Sequence, residues 1–220
     1  MSENSEHIAE GTEYKAPDIP LARVQLLSDI IFASAMTIMV FSFKVPDISI
    51  KFSYREVTEL FLDQLPEFQI YLVSFVLIAI YWLKHLEHFS YYEKTNQPHL
   101  WFQLFFLAFV VCIPFYTRFQ MAYPDNFAVQ AFYCLNMFLV GLFSFLGWKY
   151  GTYKHRLINP SVPTGTIKRI TEESLVEPCV ALLAIIVDLF DPTYSDTTFL
   201  LVPVIFVLLK KFRKNWEGSI

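Results

Sequence analysis

Charge is what this sequence has least of. Asp, Glu, Lys and Arg make up 17% of its 220 residues, where a soluble domain carries about a quarter. Against that shortage stand 55% hydrophobic residues, 18% aromatics and 23 phenylalanines. Water would have to solvate that surplus, so lipid is the expected solvent for much of the chain. Cysteine is also scarce. Cys112, Cys134 and Cys179 are odd in number and lie in apolar stretches, which argues against a disulfide framework and for buried thiols. Histidine occurs five times, at His7, His85, His88, His99 and His155, too sparsely for a multi-histidine membrane metalloenzyme. No nucleophile elbow, phosphate loop or catalytic dyad is present, so no enzyme is indicated. The TVGYG filter of carbonyl-lined potassium pores is missing too. Residues 1–18 are polar and acidic, with no basic n-region or apolar h-region. They predict a disordered cytoplasmic tail rather than a cleaved signal peptide.

What is present is a series of apolar runs. A hydrocarbon core about 30 Å thick needs roughly 20 mostly apolar helical residues. Helix 1 is expected from Arg23 to Val45, helix 2 from Phe68 to Phe89, helix 3 from Pro98 to Thr117 and helix 4 from Asn126 to Tyr150. Between helices 1 and 2, Lys51–Glu67 is charged and amphipathic, and reads as a loop carrying a short interfacial helix. Two weaker runs follow. Leu175–Leu189 contains Glu177 and Asp188, and Thr197–Leu209 is short and contains Pro203. They read as helices 5 and 6, or as a re-entrant hairpin whose freed backbone groups are covered by protein. The expected class is all-α: one polytopic bundle of six transmembrane helices over residues 19–215, with both termini cytoplasmic.

Orientation rests on the basic residues. Thirteen of the seventeen lie in the N-terminal tail, the 2–3 and 4–5 loops and the C-terminal tail; only Lys44, Lys51, Arg55 and Arg118 lie opposite. The positive-inside rule puts the thirteen in the cytoplasm. The outer loops hold nine acids against those four bases. Such a surface concentrates cations at a pore mouth, or is simply solvated.

Three constellations invite a chemical reading. Arg23, Ser28 and Asp29 stand at the inner end of helix 1. Ionisable residues at membrane depth seek partners inside the bundle, although an interfacial Arg anchor and an acid favoured by the helix dipole are equally compatible. One face of helix 1 carries Ser34, Ile38, Phe41 and Val45, with Thr37 at its flank. It suits close helix packing through small residues or a pore wall gated by apolar rings. At the inner end of helix 2, Trp82 is an interfacial belt residue, and His85 and His88 have an i,i+3 spacing. That spacing permits metal ligation, but hydrogen bonding is the simpler role.

Taken in order along the chain, these pieces resemble the transmembrane protein 175 family of potassium channels in its prokaryotic single-repeat form. That family opens helix 1 with R-x-x-x-F-S-D. Arg23, Ser28 and Asp29 match, and Leu27 replaces the Phe. Its helix 2 carries Ser-Phe and ends in Trp followed by His-His; Ser74-Phe75, Trp82 and His85 match, with Leu86 in place of the second His. In helix 3, Gln103 stands near the family's Asn, and Pro114-Phe115-Tyr116-Thr117 matches P-F-x-T. Pro178 matches the Pro that begins helix 5. The likeness spans roughly residues 23–190.

The resemblance implies a homotetramer in the bilayer, with helix 1 of each subunit lining a central pore for monovalent cations. It places hydrophobic layers at Ser34, Ile38 and Phe41 and a selectivity threonine at Thr37. Ser34, where the family usually has Ile, is a departure. The resemblance further implies that Arg23, Ser28 and Asp29 bind Trp82, His85 and Gln103 across helices, in structural support of the pore. The expected function is passive conduction of potassium as the permeant ion, with no cofactor, metal or nucleic-acid partner, in the plasma membrane of a prokaryote. A small proton-coupled secondary transporter titrating Asp29 or His85 is the alternative, although no internal repeat of the kind such carriers show is evident. A non-transporting scaffold has no positive support.

Overall fold

The computed structural model describes residues 20–43, 52–191 and 194–217. The expected tail over residues 1–18, and Val45 with its neighbours Lys44, Asp47 and Lys51, lie outside the described residues. The architecture is all-helical. In chain order the helices are α1 (Leu21–Ile38), α2 (Tyr54–Asp63), α3 (Leu65–Tyr91), α4 (Gln97–Ala122), α5 (Phe127–Thr152), α6 (Thr164–Glu173), α7 (Val176–Asp188), α8 (Ser195–Thr198) and α9 (Leu201–Glu217). A 3-10 turn, Met39–Ser42, extends α1, and another, Tyr153–His155, extends α5. Among the described residues, four segments are long and apolar enough to cross a membrane: Leu21–Ser42, Leu65–Tyr91, Gln97–Ala122 and Phe127–His155.

Local chemistry explains where these helices begin. Asn96 and Asn126 cap α4 and α5, accepting from the amides of His99 and Val129. Pro66 and Pro98 occupy the first turns of α3 and α4, where a missing N–H costs nothing. Pro203 likewise sits in the first turn of α9, so it starts that helix rather than breaking it. The charged stretch after helix 1 does form a short amphipathic helix, α2. Ser53 and Glu56 close it with a capping box, and Arg55 pairs with Glu59 four residues on.

The helices pack around one main core. Phe32, Met39, Leu77, Ile78, Tyr81, Phe106, Val110, Tyr133, Met137, Ala181 and Phe199 are among its buried members. The broadest helix pairs are α4 with α5 and α5 with α7. At the latter crossing a Cβ on Gly141 would meet Pro178 Cδ at 2.7 Å and Pro178 N at 2.9 Å. Only hydrogen fits there, and the α7 backbone cannot retreat without opening the core. Gly141→Ala is therefore expected to cost about 1–3 kcal/mol by overpacking, read as a lower thermal midpoint of the detergent-solubilised protein. An unchanged midpoint would refute that close approach. A second cluster at the opposite end of the bundle from α2 gathers Val24, Phe89, Tyr92, Trp148, Leu157, Ile158 and Ile170.

Candidate functional site: the two faces of α1

Helix α1 is packed on one side only. Val24, Ser28, Phe32 and Ala35, followed by Met39 and Ser42 in the 3-10 turn, are buried at helical spacing. They turn toward α3 and α4, the helices α1 packs against. The opposite face carries Arg23, Leu27, Ile30, Ser34, Thr37, Ile38 and Phe41, all exposed on the subunit. Ile30 and Ile38 are 55% exposed and Phe41 is 74% exposed. From Ile30 to Phe41 this stripe bears no charge. Thr37 Oγ1 donates to Ala33 O at 2.7 Å, which satisfies the hydroxyl within the helix and leaves its oxygen free to accept. The four described residues expected to line a pore, Ser34, Thr37, Ile38 and Phe41, thus share one surface. Val45 lies outside the described residues.

The residues expected to brace that helix are less uniformly connected. Trp82 Nε1 donates to Asp29 Oδ1 at 3.1 Å and ties α1 to α3. Ser28 is fully buried but turns its hydroxyl back on Val24 O, 2.9 Å away. Gln103 Nε2 lies 3.2 Å from His99 Nε2, and His99 Nδ1 lies 2.8 Å from Thr95 Oγ1. This forms a buried chain of three along the start of α4. His85 makes ring contacts instead, stacked on Phe106 at 5.7 Å and packed against Phe32 and Phe89. Its Nε2 has no hydrogen-bond partner. Arg23 lies exposed on the other face of α1, with no side-chain hydrogen bond or ion pair among the described residues. His88, the second candidate ligand on α3, faces Ser174 Oγ at 3.1 Å and stacks on Trp148. No group of three metal-ligating side chains occurs among the described residues.

Two clusters are visible only in the fold. Ser74, Thr117 and Tyr133, from α3, α4 and α5, share hydroxyl hydrogen bonds of 3.0 Å in the core. Two of the three, Ser74 and Thr117, belong to short motifs noted in the sequence. Lys84 Nζ lies 2.6 Å from both Glu177 Oε2 and Glu173 O, a buried ion pair joining α3 to α7. The available signal was a lone basic residue near the end of one apolar run and a lone acid near the start of another.

An all-helical membrane protein with a one-sided first helix is the class these features define. Residues 23–114 match the family described as endosomal/lysosomal potassium channel TMEM175. A protein named potassium channel from Chamaesiphon minutus is 26% identical over 165 residues, 74% of this chain and 81% of that one. Another so named, from Streptomyces collinus, is 28% identical over 144 residues, 64% of this chain and 68% of that one. The fold is also that of a crystal structure of a lysosomal potassium-selective channel TMEM175 homolog from Chamaesiphon minutus. The TM-score is 0.73 at 22% identity, covering 86% of this chain and 96% of that one. Over residues 23–114 the chain is thus similar to the TMEM175 family, and its fold is that of a TMEM175 homolog.

Proposed function

We propose that this chain is one subunit of a passive, potassium-permeable cation channel and not an enzyme. Four copies would place α1 around a central axis, with Ser34, Thr37, Ile38, Phe41 and Val45 facing the pore. One observation carries the reading: a membrane-length helix is buried on one face and bare, uncharged and partly hydroxylated on the other. A lipid-facing helix needs no hydroxyls, whereas a pore wall gains from alternating apolar rings and groups that partly hydrate an ion. The names of the bacterial relatives support the same function.

In this reading α7 and α9 complete six crossings over residues 19–215, both termini are cytoplasmic, and the membrane is the plasma membrane of a prokaryote. At 1.5 Å per residue, the 13 residues of α7 reach about 20 Å, so its flanking turns must supply the rest of a crossing. Arg23, Ser28, Asp29, Trp82, His85 and Gln103 support the pore from behind. The hydrogen bond from Trp82 to Asp29, which ties α1 to α3, supports that bracing role.

Reconstitution in liposomes under a potassium gradient tests the proposal. Valinomycin-independent potassium flux above that of empty vesicles is expected, with a reversal potential that follows the cation gradient. Flux equal to that of empty vesicles, a reversal potential tracking chloride, or saturable uptake driven only by a pH gradient would overturn it.

A further inference from the structure

The last turn of α5 and the turn that follows it carry three cations that join no ion pair among the described residues. Lys149, Lys154 and Arg156 are all exposed. The sequence has no Asp or Glu from Asn126 to Thr171. Among the described residues, Glu93 binds Asn159 Nδ2, and Glu87 and Glu173 pair with Arg169.

A solvated basic loop would also leave its cations unpaired. Here, however, the side chains are held in place. Lys154 and His155 both adopt left-handed backbone conformations, at φ 52° and 53°, which non-glycine residues occupy only when their surroundings impose it. The imposition is visible. Leu157 N donates to Gly151 O at 2.9 Å, Glu93 N donates to Leu157 O at 3.0 Å, and Leu157 and Ile158 are buried in the second cluster. This reversal sets Lys154 Nζ 5.5 Å and Arg156 Cζ 5.6 Å from the same Tyr153 ring. The Arg156 guanidinium also lies 4.4 Å over Tyr150, whose hydroxyl accepts from Asn96 Nδ2 at 3.0 Å. Cation–π contact positions Lys154 and Arg156 while leaving their N–H groups open to an oxyanion.

Depth identifies the oxyanion. The cluster lies at the end of the apolar segment Phe127–His155, where tyrosines mark the membrane–water boundary and where lipid phosphates also lie. We propose that Lys154 and Arg156, assisted by Lys149, bind the phosphate of an anionic phospholipid of the adjoining leaflet, with Tyr150 and Tyr153 at headgroup depth. Arg156 supplies the two-pronged contact and Lys154 a point charge. The site is independent of what the chain conducts.

Native mass spectrometry of the full chain from a neutral detergent tests the site. The probes are phosphatidylglycerol, phosphatidylcholine with the same acyl chains, and glycerol 1-phosphate. The wild type should retain phosphatidylglycerol in preference to phosphatidylcholine. In the Lys154→Ala/Arg156→Ala double variant its apparent affinity should fall roughly 30-fold, as expected for two charges lost at an anionic surface. Lys168→Ala, which removes an exposed cation already paired with Glu172, should leave retention unchanged. If the double variant fails to fold, Arg156→Lys carries the test through partial loss. Equal retention of both lipids, undiminished retention by the Arg156 variants, or equal binding of glycerol 1-phosphate would overturn the proposal. That last result would make free phosphate the ligand.

Discussion

Replacing Lys84 with Met should destabilise the protein by about 3–5 kcal/mol, the typical consequence of leaving one member of a buried ion pair without its partner. Its Nζ is 2.6 Å from Glu177 Oε2, and the two side chains are 10% and 3% exposed. Glu177 is already short of partners, since its Oε1 has none. Removing the ammonium would strand a carboxylate inside α7's first turn. Glu177→Met alone should do comparable harm, leaving Lys84 with Glu173 O at 2.6 Å and the Phe206 ring at 5.0 Å. Lys84→Met/Glu177→Met together should recover most of the loss, because well-packed apolar residues replace a buried pair at little net cost. Unfolding in detergent, followed by circular dichroism for the four proteins of the cycle, measures this. Additive losses in the double variant would show that the pair is not coupled as its geometry indicates.

That pair also explains why the second half of the chain was hard to read. Glu177 made the run from Leu175 look unlike a membrane helix, because in sequence it stands alone among apolar residues. Its charge is answered by Lys84, ninety-three positions earlier, and no local pattern reveals a partner so far away. The same holds for α6, which is absent from the sequence reading: Thr164–Glu173 is a short amphipathic helix whose Arg169 is held between Glu87 and Glu173. The four long helices were legible because each contains a long apolar stretch, with its few charges near the ends of that stretch. Their ends were less so. Helix α4 continues past Arg118 to Ala122 rather than stopping near Thr117, since a single basic residue does not end a helix.

The brace behind α1 was partly legible for a related reason. Asp29 reads as an acid seeking a partner on another helix, the family resemblance supplies Trp82 among the candidates, and the fold joins the two at 3.1 Å. Gln103 was noticed only as a substitute for Asn, and its true neighbour escaped notice. The i,i+4 series Thr95, His99, Gln103 was nonetheless present in the sequence. That spacing puts His99 and Gln103 on one face of α4, and Thr95, just before the helix, extends them into a continuous buried chain.

The bare face of α1 leads to the second large effect. Ile38→Asn should raise potassium flux through reconstituted channels. Ile38 is the last residue of α1, 55% exposed and one helical turn outward of Ser34, with Phe41 following in the 3-10 turn. Around a four-fold axis, a ring of isoleucines repels water and so opposes ion entry. An amide there offers hydration in place of dewetting. If the barrier falls by about 1–2 kcal/mol, within the range for moving an apolar side chain of this size out of water, conductance rises roughly 5- to 30-fold. Ser34 already presents a hydroxyl where the family usually carries Ile, so Ser34→Ala should change flux much less. Single-channel recording in planar bilayers distinguishes the two positions. A large rise with Ile38→Asn and a small change with Ser34→Ala would put the constriction at Ile38. The reverse order would move it to Ser34, and no change at either position would leave Phe41 as the barrier and refute the assignment of Ile38.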